Sequence, residues 1–270
     1  MKIYLADCHA HTTCSFDAKA DIDTLCAAAA AQGFDEIAVT DHCECNYKEN
    51  LFDVDAAYKQ VQKARVKYAP LKIKFGIEIG QPLQGLEVAE KALSCDMYDV
   101  VLVSNHNIRD TEDFYYLDFR KSAPLPVLMG RYFEELLEVV RWGRFDVLAH
   151  MDYPLRYIVR QGISYNLADH KTAIDEILKE LIKNGKALEI NLSSLNPSGC
   201  AAALGRTMPD YNTIRRFLEL GGEYITIGSD CHRADLSAEN TVRVIKELKL
   251  KEITVYNKRI PSKIILNTEC

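Results

Sequence analysis

The chain has 270 residues, 48% of them hydrophobic, which is enough for a sizeable buried core. Thirty-three basic against 39 acidic residues give a formal charge of −6 without long single-sign runs, which argues against a nucleic-acid-binding surface. No stretch reaches the length of a membrane span, and Met1-Lys2 leads into too short an apolar run for a signal peptide. Nine irregularly spaced cysteines read as reduced thiols of a cytoplasmic protein.

The chain opens on Ile3-Tyr4-Leu5-Ala6, an apolar run that leads into Asp7-Cys8-His9-Ala10-His11. In an extended backbone residues i and i+2 face the same side, so His9 and His11 can converge just past a strand end, with Asp7 behind them. A polar loop through Asp17 is long enough to return a side chain over that end. Asp21 to Leu25 reads as an acidic helix start, stopped at Gly33. A strand at 36–40 ends in Asp41-His42, and a helix is predicted from about Asp53 to Tyr68. The next strand, 73–77, ends in Glu78, with Gly76 and Gly80 leaving room beside the carboxylate. A short helix over 86–93 precedes a strand at 99–103 that ends in Ser104-Asn105-His106.

The second half repeats this rhythm. An aromatic loop from Phe114 to Pro126, read as packing at the rim, precedes an amphipathic helix from about Tyr132 to Trp142. A strand at 146–149 ends in His150-Met151-Asp152. A longer loop carrying Arg156 and Arg160 leads to a helix over 171–183. The strand at 187–191 is followed by a Ser/Asn/Pro/Gly loop with Arg206, then a helix near 211–220. The seventh strand, 224–229, ends in Asp230-Cys231-His232. A helix near 241–248, a short apolar run at 253–255 and a basic tail close the chain.

Seven strands alternating with helices predict a parallel sheet in one domain spanning 1–270. Ligand sites of parallel α/β folds lie at the carboxyl ends of the strands. An open sheet gathers its site at one or two switch points, whereas here nearly every strand contributes. A closed, (β/α)7-like barrel follows. Six of the seven histidines (His9, His11, His42, His106, His150 and His232) fall at strand ends, joined by Glu78, Asp230 and, from its loop, Asp17. One mononuclear site uses three or four ligands, so nine suit two or three ions. A nitrogen/oxygen donor set fits Zn, Mn or Fe. Cys8 and Cys231 alternate away from the site, and Cys43 and Cys45 lie beyond His42 in an expected loop. Arg109, Arg156, Arg160 and Arg206 follow strands on the metal side and favour an anionic substrate. Phosphate loops, nucleophile elbows, HExxH, CxxC and GxGxxG motifs are absent.

His9-x-His11, Thr40-Asp41-His42, Gly76-Ile77-Glu78, His106, Ala149-His150-x-Asp152 and Ser229-Asp230-x-His232 resemble the motif series of the PHP (polymerase and histidinol phosphatase) superfamily. Within it, Leu188 to Asn191, Gly221 to Asp230 and Pro154 to Tyr157 resemble stand-alone histidinol-phosphate phosphatases. The resemblance implies a distorted (β/α)7 barrel of the PHP type with a trinuclear metal centre. His9, His11, Glu78 and Asp230 would take the first ion, Glu78, His106 and His150 the second, and Asp17, His42 and His232 the third. The activity implied is hydrolysis of L-histidinol phosphate, a small phosphorylated substrate, by a metal-bridging hydroxide. Arg160 and Arg206 are the first choices to hold the phosphoryl oxygens. Asp152 is a candidate leaving-group acid or a partner of His150, and Asp7 and Asp41 would orient ligand histidines. The segment from Asp110 to Asp118 differs from the family pattern, so selectivity can differ there. A phosphoesterase for another small phosphate or a nucleotide is the competing reading. A non-catalytic metal-binding module is the alternative of a different class.

Overall fold

The computed structural model describes residues 2–46, 52–196 and 202–267. Its strands are β1 (Ala6–Ala10), β2 (Glu36–Val39), β3 (His42–Glu44), β4 (Lys72–Gly80), β5 (Val100–Ser104), β6 (Val147–Leu148), β7 (Ala187–Asn191) and β8 (Ile225–Gly228). All pair in parallel with their neighbours, and β2 and β3 are two halves of one stave, both alongside β4. The ring closes where His11 N donates to Cys231 O (3.0 Å) and Asp230 N to His9 O (2.8 Å). Seven staves therefore form the barrel. It is distorted where the β1–β2 register shifts between Asp7 and Ala10.

The outer helices are α1 (Ile22–Ala31), α2 (Val54–Lys67), α3 (Leu86–Leu93), α4 (Leu125–Trp142), α5 (Pro154–Arg160), α6 (Lys171–Lys183), α7 (Tyr211–Glu219) and α8 (Ala238–Leu248). Asp21, Asp53, Asp210 and Ser237 cap four of them by accepting a first-turn backbone N–H. Along α6, Ile174, Ile177, Leu178 and Leu181 recur at helical spacing and are buried. Burying each is worth about 1.5–3 kcal/mol. No described helix is long and apolar enough to cross a membrane.

Four expectations need correction. The first strand starts at Ala6 rather than Ile3, so Asp7 and His9 lie on the strand itself, held between β2 and β8. Helix α4 begins at Leu125, two turns early, because Pro126 sits in the first turn, where its missing N–H costs nothing. The segment with Arg156 and Arg160 is helix α5, opened in the same way by Pro154. The C-terminal segment is an antiparallel hairpin, β9 (Glu252–Asn257) and β10 (Ile260–Ile265), rather than an apolar run and a tail. It covers the amino ends of the staves, where Tyr256 joins one apolar cluster with Ala38, Val100, Leu102, Val147, Ala149 and Ala187.

Candidate metal centre

Alternation along β1 turns Asp7 and His9 into the barrel mouth, and His11 follows in the same direction. His42, Glu78, His106, His150 and Asp230 reach the same point from the ends of the other staves, and all are buried. Two of these positions carry left-handed backbone, His150 (φ 23°) and Asp230 (φ 53°), which non-glycine residues hold only when their surroundings impose it.

The donor atoms fall into groups. His9 Nε2 lies 3.0 Å from His11 Nε2 and 3.3 Å from Glu78 Oε2; His11 Nε2 lies 3.3 Å from Asp230 Oδ1. On the other side of the Glu78 carboxylate, Oε1 is 2.9 Å from His150 Nε2 and 3.4 Å from His106 Nε2. Farther out, His232 Nε2 stands 3.2 Å from Asp17 Oδ2 and 3.3 Å from His42 Nε2. His42 turns its other nitrogen to Glu78. The nine residues singled out in the sequence are thus brought together around Glu78, and Asp17 is the most exposed of them. No cysteine joins these clusters among the described residues.

Neighbouring groups fix the imidazoles. His9 Nδ1 is 2.7 Å from Glu189 Oε1, and His106 Nδ1 is 2.8 Å from Glu44 Oε1. The other oxygen of Glu189 accepts from His150 N. His11 Nδ1 meets Ser15 Oγ (3.2 Å), whose own hydroxyl donates to Asp41. His232 Nδ1 donates to the Asp230 carbonyl. A nitrogen that donates to a carboxylate or carbonyl leaves the opposite Nε2 as a lone pair aimed into the cluster. Asp41 therefore acts on His11 through Ser15, while Asp7 accepts from the backbone N–H groups of His9 and Ser229. Burial pushes the Asp7 carboxyl up to about 6.

Glu44 and Glu189 were not singled out as holders of ligands. Their signal was present: each is an inward residue two positions from another polar inward residue, His42 and Asn191. Glu189 lies inside the barrel and is fully buried. Two glycines make their positions available, since a Cβ on Gly80 would overlap the Glu44 carboxylate and one on Gly228 would overlap Glu189 and His9. The space beside Gly80 thus serves Glu44, not Glu78.

This arrangement draws positive charge to itself, as protons on the imidazoles or as metal ions in their place. Burial raises the Glu78 and Asp230 carboxyls, but His9 and, respectively, His42 and Arg156 outweigh it and hold both well below the usual range. Burial opposes charge on His42, yet Glu78 and Asp17 drive it up to about 9. His42 Nδ1 and Glu78 Oε2 approach to 2.9 Å without hydrogen-bond alignment, and both are buried without a hydrogen-bond partner among the described residues. Facing nitrogen lone pairs and clustered buried carboxylates are stabilised by a cation between them. The residues present fit divalent transition-metal ions.

A cavity of about 720 Å³ opens over the clusters. Its wall includes Arg156, which donates to Asp230 Oδ2 from both terminal nitrogens (3.2 and 3.1 Å) and stacks 4.3 Å from the Tyr153 ring. The three residues expected to act on the phosphoryl group do not line this cavity. Arg160 is exposed and donates to the Tyr115 carbonyl. Arg206 pairs with Asp152 Oδ2 at 2.8 Å beside a separate surface depression. Asp152 is buried in that pair, and burial raises its carboxyl against the pull of Arg206.

The model of the PHP domain matches residues 7–193. The chain belongs to the PHP domain family. A relative from Clostridium acetobutylicum named "Probable histidinol-phosphatase" is 32% identical over 94% of this chain and 97% of its own length. Another of that name from Thermotoga maritima is 29% identical over 91% of each chain. Among solved structures, the histidinol phosphate phosphatase of Lactococcus lactis, complexed with Zn, L-histidinol and phosphate, superposes with a TM-score of 0.80. It is 24% identical and matches 96% of this chain and 98% of its own. The PHP barrel of this chain is therefore an α/β fold shared along nearly the whole length of that structure.

Proposed function

We propose that this chain hydrolyses L-histidinol phosphate to L-histidinol and phosphate, using two or three divalent transition-metal ions. The observation that carries the reading is the convergence of three donor groups around Glu78 beneath a cavity that Arg156 helps to line. The names of the similar proteins, and the ligands of the Lactococcus structure, support the substrate. His9, His11, Glu78 and Asp230 would hold one ion, Glu78, His106 and His150 a second, and Asp17, His42 and His232 a third. Such ions supply Lewis acidity and an ionised water near neutral pH.

The protein's own groups do the rest. Glu189, Glu44 and Ser15 keep the imidazole lone pairs aimed inward. Arg156, rather than Arg160 or Arg206, is the guanidinium placed to receive phosphoryl oxygens, with Ser193 beside it. Asp152 is assigned the pairing with Arg206. The 270 residues are read as one domain, since the closed ring and the hairpin beneath it share one core. Free thiols at the seven described cysteines support a reducing, cytoplasmic setting.

The test is a panel of phosphate monoesters and nucleotides, assayed after reconstitution with Zn, Mn or Fe. Histidinol phosphate is expected to exceed p-nitrophenyl phosphate by about 100-fold in kcat/KM. A nucleotide or sugar phosphate that outperforms it would replace this substrate with another.

A further inference from the structure

The cavity is lined by five carboxylates among the described residues: Asp17, Glu44, Asp113, Asp230 and Asp235. Four have side-chain partners. Asp17 faces His42 and His232, Glu44 holds His106, Asp230 receives Arg156, and Asp235 accepts from Asn196. Asp113 has none. Its Oδ1 accepts the backbone N–H of Tyr115 at 2.7 Å, which fixes the carboxylate, and its Oδ2 has no protein partner among the described residues.

The surroundings define what could sit there. Asp113 belongs to the segment between β5 and α4. That segment is docked on the end of α5: Arg160 donates to the Tyr115 carbonyl, and Gln161 binds both Phe119 N and Leu117 O. The Arg160 guanidinium lies 4.7 Å from the rings of both Tyr115 and Tyr157, which form part of the cavity wall. Asp113 is therefore a positioned acid in an aromatic wall, not a group on a free loop. Carboxylate oxygen and aromatic faces together recognise an organic cation. The Arg156 guanidinium lines the same cavity and suits the anionic end of the same molecule.

We propose that Asp113 is a specificity-determining residue that receives the ammonium group of the substrate and selects amino-substituted phosphate monoesters over neutral ones. This rests on the phosphatase reading above. In L-histidinol phosphate the amine sits on the carbon next to the one bearing the ester oxygen, so phosphate and ammonium must be held within one cavity. Arg160 acts as a positioning residue, by holding Tyr115 and with it the N–H that orients Asp113.

The experiment compares wild type, Asp113→Asn and Asp113→Ala on three substrates. These are L-histidinol phosphate, its desamino analogue 3-(imidazol-4-yl)propyl phosphate, and p-nitrophenyl phosphate, with metal content measured in each variant. Wild type should prefer the amine over the desamino ester by roughly 10- to 100-fold in kcat/KM, the range of one charge-assisted hydrogen bond. In both variants that preference should collapse toward one, mainly through KM, while the desamino and p-nitrophenyl esters stay within about threefold and metal content is unchanged. Equal losses on all three esters, or an intact preference for the amine, overturn the assignment but leave the phosphatase reading standing. Wild type that hydrolyses none of the three with metal present removes that reading and the assignment with it.

Discussion

The two ends of the barrel use the same kinds of residue to different effect. At the amino ends, Asp99 accepts from Arg65, Phe75 N and Lys258 N, and Asp146 accepts from Val101 N and twice from Arg259. Each oxygen there has a donor and each carboxylate an arginine. On the side of the clusters, Asp7 Oδ2 and Glu78 Oε2 are buried without a hydrogen-bond partner, and arginine reaches the cluster carboxylates only at Asp230, among the described residues. Balanced charge closes one end and makes it structural. Unbalanced charge leaves the other ready for cations. Burial alone does not separate Asp7 and Glu78 from Asp99 and Asp146; the donors around each carboxylate do.

The largest expected effect comes from removing charge at the centre of the open end. Glu78→Gln keeps the volume of the side chain but deprives two donor groups of their shared carboxylate. Activity on phosphate monoesters should fall by roughly 1000-fold or more, with metal content reduced and the fold retained. Elemental analysis and circular dichroism beside the assay decide this, and a variant that keeps its metal and its rate would contradict a centre built on Glu78.

A smaller loss should follow at one remove. Glu189→Gln still fills the space beside Gly228 but weakens the hold on His9 and on the backbone of His150. About 10- to 100-fold in metal affinity or activity is expected. Titration with added metal should recover part of the rate. If excess metal restores nothing and the protein is unfolded, Glu189 belongs with the structural carboxylates of the other end.

The smallest effect on catalysis is predicted at the closed end. Arg259→Ala strips Asp146 of its charged partner while leaving Val101 N in place. Stability should drop by about 1–3 kcal/mol. Activity per folded molecule should be unchanged within twofold. Denaturant unfolding read beside kcat gives the answer, and a loss of kcat in fully folded protein would show that the two ends are coupled.

Much of the open end was legible beforehand because its signals are local. His9 and His11 share a face through the two-residue period of a strand, and the remaining candidate ligands except Asp17, which comes from a loop, repeat one rule, a polar residue where an apolar run stops. The same rule placed seven staves and indicated closure. Choosing among the arginines was not possible this way. Arg156 and Arg160 lie one helical turn apart, about 6 Å along the axis, on a segment not read as a helix. Being in the first turn of α5 puts Arg156 against Asp230, whereas the next turn carries Arg160 out to solvent.

What the sequence determined by itself was therefore the set of candidate metal-ligating side chains that the barrel brings together and the βα order that gathers them, since both follow from strand periodicity and residue chemistry. What only the tertiary structure decided was which groups would complete or leave open each buried charge. Glu44 and Glu189 acquire their roles from histidines on other staves, and no spacing along the chain encodes that meeting. The final hairpin shows the same dependence in the backbone. Its turn places Lys258 and Arg259 in the left-handed region (φ 49° and 63°), a conformation that local preference gives to glycine or asparagine. Such a residue costs about 1 kcal/mol or more. Asp99 and Asp146 offset that cost by taking Lys258 N and the Arg259 guanidinium, so the turn exists because a barrel lies beneath it.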